Sequence, residues 1–188
     1  MDHRRGLGEH HRGLVGGARR RLPLRAPAPA RGRGVGGRRI LPAVAIRIRE
    51  ADPKDAEAIA RIHVRSWQAA YRGQLSDAYL DGLSVSDRLE QHRMALETPG
   101  AHRTWVAEED GRVVGFAVTG PSQDADADER TGELYAVYLD PDRYGRGIGK
   151  RLCDHALADL RERGFRTVTL WVLETNERAR RFYEREGW

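Results

Sequence analysis

The 188 residues can enclose one domain with a sizeable core, and no apolar run approaches the length of a membrane-spanning helix. The single cysteine, Cys153, excludes an internal disulfide and a cysteine cluster for metal, which fits a reducing cytoplasm. The net charge of +5 divides unevenly: residues 1–45 hold 11 arginines against Asp2 and Glu9, a charge of +9, while residues 46–188 carry −4, a balance ill suited to gripping nucleic acid phosphates.

Residues 1–43 are rich in Arg, Gly, Pro and Ala and show no sustained period of 2 or 3.6. Such a segment buries too little apolar surface to offset its ordering entropy, so a disordered tail is expected. It lacks the apolar run of a secretory signal and the serines of a transit peptide. Order is expected from Val44, where Val44-Ala45-Ile46-Arg47-Ile48-Arg49 alternates as a half-buried strand. Asp52-Pro53-Lys54-Asp55 then opens a helix, with Asp52 as cap and Pro53 in the first turn. Its stripe includes Ile59, Ile62, Val64, Trp67, Ala70 and Tyr71 and stops at Gly73. Ser76 and Ser84/Ser86 open two shorter helices.

A hairpin follows: strand 104–109, an Asp110-Gly111 turn, and strand 112–119. Pro121 to Arg130 is an acidic loop whose spacing lacks the glycine and distal glutamate of a calcium loop; a solvated loop is expected. Glu133 to Leu139 reads as a strand ended by Pro141. A glycine loop leads into a helix with Ile148, Leu152, Ala156, Leu157 and Leu160 on one face, stopped by Gly164. Residues 167–173 form an apolar, β-branched strand, and Asn176 opens a last helix bearing Ala179, Phe182 and Tyr183.

Strand, glycine loop and helix at 133–164 form a phosphate-holding arrangement. Amide groups at a helix N-terminus point outward and the helix dipole favours an anion there. Gly145, Gly147 and Gly149 allow close backbone approach, and Arg146 and Lys150 add positive charge. A mononucleotide P-loop fails at both ends, at Tyr144 and Arg151, and the dinucleotide fingerprint is one residue short. A tight turn with no ligand stays open on the loop alone.

Leu134 to Leu157, followed by the Asn176-x-x-Ala179-x-x-Phe182-Tyr183-Glu184 block, resembles the GNAT N-acetyltransferase superfamily over residues 44–188. The specific parts are Asp140-Pro141…Gly145-Arg146-Gly147-Ile148-Gly149 and the block itself. The helix segment 67–73 also looks like that of many bacterial members. The resemblance implies an α/β (α+β) acyl-CoA N-acyltransferase fold: a central mixed, mostly antiparallel twisted sheet flanked by helices. It implies acetyl-CoA as cosubstrate and no metal. Tyr144, Gly145, Arg146, Gly147, Ile148, Gly149 and Lys150 would hold the pyrophosphate. Val137, Tyr138 and Leu139 would offer a strand edge to the pantetheine, and Asn176 would touch the cofactor arm. Tyr144 departs from the Gln or Arg usual at the first loop position, and weakened or rearranged binding is expected from it.

The reaction implied is attack of a neutral primary amine on a thioester in a ternary complex. A base must take a proton, strand N–H groups near Val137 can serve the oxyanion, and an acid helps the thiolate leave. The resemblance assigns Tyr183 as acid and Glu133 as base; a core tyrosine and a solvated strand-end carboxylate are the competing readings. Trp67 and Tyr71 line the acceptor pocket or the core. His63, His92, His102 and His155 lack ligand spacing, and Cys153 reads as packed. Relatives continue past a glycine-aromatic pair such as Gly187-Trp188 into further strands. The fold is therefore expected without its C-terminal strands, leaving strand 167–173 with an unpaired edge. The expected partner is a small-molecule or protein amine acceptor, with a homodimer allowed and neither nucleic acid nor membrane. Alternatives are an acyl-CoA-binding module without turnover and an inactive truncated acetyltransferase.

Overall fold

The computed structural model describes residues 17–24, 45–98 and 100–188. Six strands form one sheet: β1 (Gly17–Pro23), β2 (Ile46–Glu50), β3 (Arg103–Glu109), β4 (Arg112–Pro121), β5 (Thr131–Leu139) and β6 (Thr167–Leu173). Among the described residues five α-helices accompany them: α1 (Ala56–Tyr71), α2 (Asp77–Asp81), α3 (Val85–Glu97), α4 (Ile148–Glu162) and α5 (Glu177–Arg185). The strand order is β1-β6-β5-β4-β3-β2, antiparallel except for the β5–β6 pair. This is the mixed, mostly antiparallel sheet flanked by helices that the sequence implies.

Local chemistry sets most element ends. Asp52 and Asp55 form a reciprocal capping box around a 3₁₀ turn, Pro53–Asp55, that leads into α1. Ser76 and Ser84 cap α2 and α3 through the amides of Tyr79 and Asp87. Asp110 and Gly111 both take positive φ, 50° and 76°, as a two-residue hairpin turn requires. Alternation along the strands then divides the core between the two sheet faces. Leu134, Val168, Leu170 and Val172 meet Ile148, Leu152 and Leu160 of α4 on one face. Val106, Phe116, Val118 and Tyr135 meet Ile59 and Ile62 of α1 on the other.

Two expectations are corrected at the sheet edge. Residues 17–23, read from sequence as disordered tail, form β1 and Leu24 follows it; the rest of that tail lies outside the described residues. The edge of β6, expected to be unpaired, is covered by β1 in antiparallel register from Gly17↔Leu173 to Pro23↔Thr167. The physical reason is that β6 offers a ladder and an apolar face together. Leu22 packs against the core over β6, and neighbouring Leu24 donates its amide to Arg166 O at 2.8 Å. The arginines between are anchored by acids: Arg19 forks onto Asp126 (Nη2···Oδ2 2.7 Å), and Arg20 reaches Glu184 of α5 at 3.2 Å.

One irregularity shapes the site. β4 and β5 pair as Val118↔Ala136 and then Thr119↔Leu134, so Tyr135 is an extra, bulged residue. β5 pairs with β6 only over Thr131–Glu133 against Thr167–Thr169. From Leu134 onward the two parallel strands part and open a cleft between them.

Candidate active site

The cleft has a volume of about 460 Å³. One wall is Leu134–Leu139 of β5, and the other is Trp171 and Val172 of β6 with Phe182 and Tyr183 of α5. Val137, Tyr138 and Leu139 stay paired to Ala117, Phe116 and Gly115 of β4, so their other backbone edge looks into the cleft. Gly115 makes room for this wall: a Cβ there would lie 2.2 Å from the Leu139 side chain.

The loop Tyr144–Lys150 closes one end. Gly145 and Gly147 sit at φ 77° and 76°, a region that side chains resist, and Gly147 is the N-cap of α4. No side chain caps this helix, so its first-turn amides point toward the cleft end without a protein acceptor from the cap. An uncapped helix N-terminus beside a parted strand edge suits an anionic group carrying an extended amide-bearing arm. The loop cations are less available than the sequence suggests. Arg143 bonds Glu109 (Nε···Oε2 2.5 Å), and Arg146 also lies 3.8 Å from it. Lys150 is held by Glu186 at 2.7 Å and Asp154 at 3.0 Å. Tyr144 places its ring under the Arg178 guanidinium, with 3.6 Å from Cζ to the ring centroid.

Tyr71, Tyr138 and Tyr183 also line the cleft. Tyr71 and Tyr138 pack there with Trp67, and burial raises both phenols above their ordinary value. Burial, with Cys153 and Tyr71 nearby, holds the Tyr183 phenol well above its ordinary value. Asn176 lines the cleft and caps α5 through the Ala179 amide at 3.1 Å. Tyr71 lines the cleft as well, whereas Trp67 is buried behind it, edge-on at 5.1 Å. Glu133 stands one residue before the strands part and is only 2% exposed. Its carboxylate accepts from Ser122 Oγ at 3.3 Å and the Gln123 amide at 3.2 Å, outside the cleft lining.

Sequence reasoning missed three contributors. Trp171 lines the cleft and donates its indole N–H to Asp124 at 3.0 Å; it is the one ring in its strand. His63 stacks on Tyr138 (5.3 Å, 19°) and shares a 3.0 Å bond between Nδ1 and Nε2 of His92. Arg178 lines the phosphate end, and no sequence signal separates it from its arginine neighbours. Cys153 is buried and its thiol is pushed up to about 12 by desolvation, so it is packed and inert. His155, which lacks ligand spacing, packs edge-on against Trp105 at 4.4 Å. Among the described residues no cluster could hold a metal and no helix is long and apolar enough to cross a membrane.

Residues 56–188 match the model of the acetyltransferase (GNAT) family. The chain belongs to this family. An uncharacterized N-acetyltransferase of Bacillus subtilis, YuaI, is 33% identical over 132 residues, covering 70% of this chain and 73% of that protein. An uncharacterized N-acetyltransferase of Archaeoglobus fulgidus is 34% identical over 72% of this chain and 88% of its own. The PaiA N-acetyltransferase of Thermoplasma acidophilum, solved in complex with coenzyme A, shares the fold at a TM-score of 0.65 and 22% identity, covering 76% of this chain and 89% of its own.

Proposed function

We propose that this protein moves an acetyl group from acetyl-CoA to the nitrogen of a primary amine, by direct attack while both substrates are bound. The observation that carries the reading is the cleft between parted parallel strands, with an uncapped helix N-terminus at one end and a buried phenol on its wall. When bound, acetyl-CoA supplies a thioester already activated for acyl transfer. Tyr144 to Lys150 hold its pyrophosphate through backbone amides, and the β5 edge at Val137–Leu139 pairs with the pantetheine arm. Asn176, at the mouth of α5, contacts that arm.

An ammonium has no lone pair, so the acceptor must reach the cleft neutral or lose a proton there. Glu133 takes that proton through an intervening water, since its carboxylate sits just outside the cleft lining. Amide N–H groups beside the Tyr135 bulge and Val137 donate to the oxygen on which charge collects during attack. Tyr183 holds its proton at Oη and gives it to the departing sulfur. Tyr71 lies beside the acceptor, and Trp67 steadies Tyr71 and Tyr138 by packing against them. The acceptor is a small molecule or a protein amine, and the reaction is placed in the cytoplasm.

The enclosed position of Glu133 favours a second reading, an acyl-CoA-binding module without turnover. Glu133→Gln and Tyr183→Phe separate the two when CoA affinity and amine acetylation are measured on the same samples. Retained affinity with acetylation lowered about 10²-fold or more supports the enzyme. Normal turnover in both variants overturns this assignment of base and acid.

A further inference from the structure

Arg178 and Arg185 both line the cleft with no carboxylate partner among the described residues, and of the two Arg178 is the one stacked on an aromatic ring of the glycine loop. Arg143 and Arg146 face Glu109, and Lys150 is held by Glu186 and Asp154. Among the described residues no carboxylate pairs with Arg178. It is held instead by an aromatic face, with Cζ 3.6 Å from the centre of the Tyr144 ring. At that distance the guanidinium is attracted by the ring's electron-rich face, yet its N–H donors stay on the outer edge. The two residues come from opposite sides. Tyr144 opens the loop that leads to the uncapped start of α4, and Arg178 lies in the first turn of α5, two residues past Asn176. Both line the cleft.

The geometry points to a phosphate subsite: Arg178, oriented by the Tyr144 ring, binds a phosphate of acetyl-CoA through its outward N–H donors. The inference rests on the proposed use of acetyl-CoA and assigns one side chain within that site. It also gives the tyrosine at the first loop position a task. Tyr144 brings no charge of its own but fixes a guanidinium across the mouth from the loop amides. The phosphate is either in the pyrophosphate or on the ribose 3′ position, and the two sources are separable.

The test is calorimetric titration of the full chain with CoA, with dephospho-CoA, which lacks the 3′-phosphate, and with pantetheine, which has no phosphate. Arg178→Ala is expected to weaken CoA about 10- to 100-fold, the scale of a lost charge-assisted hydrogen bond. Tyr144→Ala should weaken it as well, Tyr144→Phe should retain most affinity, and Arg178→Ala should cost less on the Tyr144→Ala background. Arg181→Ala, on the same helix and paired to Glu177, is expected to bind normally. A penalty that persists with dephospho-CoA assigns the pyrophosphate, and one that vanishes assigns the 3′-phosphate. CoA affinity within twofold of the parent in Arg178→Ala overturns the subsite, as does an equal penalty with pantetheine. A folded parent that binds no CoA overturns the proposed function and the subsite together, whereas a binding parent with an unaffected Arg178→Ala overturns the subsite alone.

Discussion

At the scale of single residues, burial keeps the cleft phenols protonated and His92 neutral. Tyr183 is raised by burial, so its proton persists above the ordinary tyrosine range. The rate with a primary amine is therefore expected to rise with pH as the amine deprotonates, with no loss near pH 10 from tyrosine ionisation; a pH–rate profile of kcat/KM checks this. His92 is buried beside His63, with Arg88 nearby, and desolvation lowers it from 6.5 to about 4. In that window the unfolded chain binds the proton and the folded one does not, so stability present above about 6.5 is lost as pH falls toward about 4. Thermal unfolding midpoints across that range should fall, and His92→Gln, though less stable at neutral pH, should fall less steeply. Much at this scale was not legible beforehand. The loop glycines, Tyr183 and Asn176 were readable because their spacing forms a pattern along the chain. The His63–His92 bond joins helices 29 residues apart, and the Tyr144–Arg178 stack joins a loop to a later helix, so neither leaves a local signature.

At the scale of elements, the difference between legible and hidden follows the range of the interactions. Asp52–Asp55, Ser76, Ser84, Asp110-Gly111 and Asn176 act within a turn of themselves, and the elements they bound were readable. β1 was not, because Arg19-Arg20-Arg21 does not alternate and its partner β6 lies about 150 residues later. A ladder partner at that separation cannot be inferred from local pattern. The strand now gives a second prediction about integrity. Removing residues 1–24 should strip the ladder from β6, open the edge of an apolar strand, and lower the unfolding midpoint. Light scattering should show that shortened chain associating. A monomer as stable as the full chain would show that β1 contributes nothing to the sheet.

Across the whole molecule, the uneven charge of the sequence acts partly within the fold. Arg19 and Arg20 of β1 reach Asp126 of the acidic loop and Glu184 of α5, so part of the basic segment is neutralised by the acidic one. These contacts tie the sheet edge to both the loop beside Glu133 and the helix bearing Tyr183, the two sides between which transfer would occur. The family and its fold follow from the chain as a whole, while the chemistry depends on whether the parted strands take acetyl-CoA. Calorimetric titration of the full chain with acetyl-CoA, beside Gly147→Val, tests that most directly. One-to-one binding is expected, and it should be largely lost in the variant, because φ 76° resists a β-branched residue and the α4 amides would be displaced. Folded protein that binds no acetyl-CoA, or binds it equally well with valine at position 147, would contradict the account.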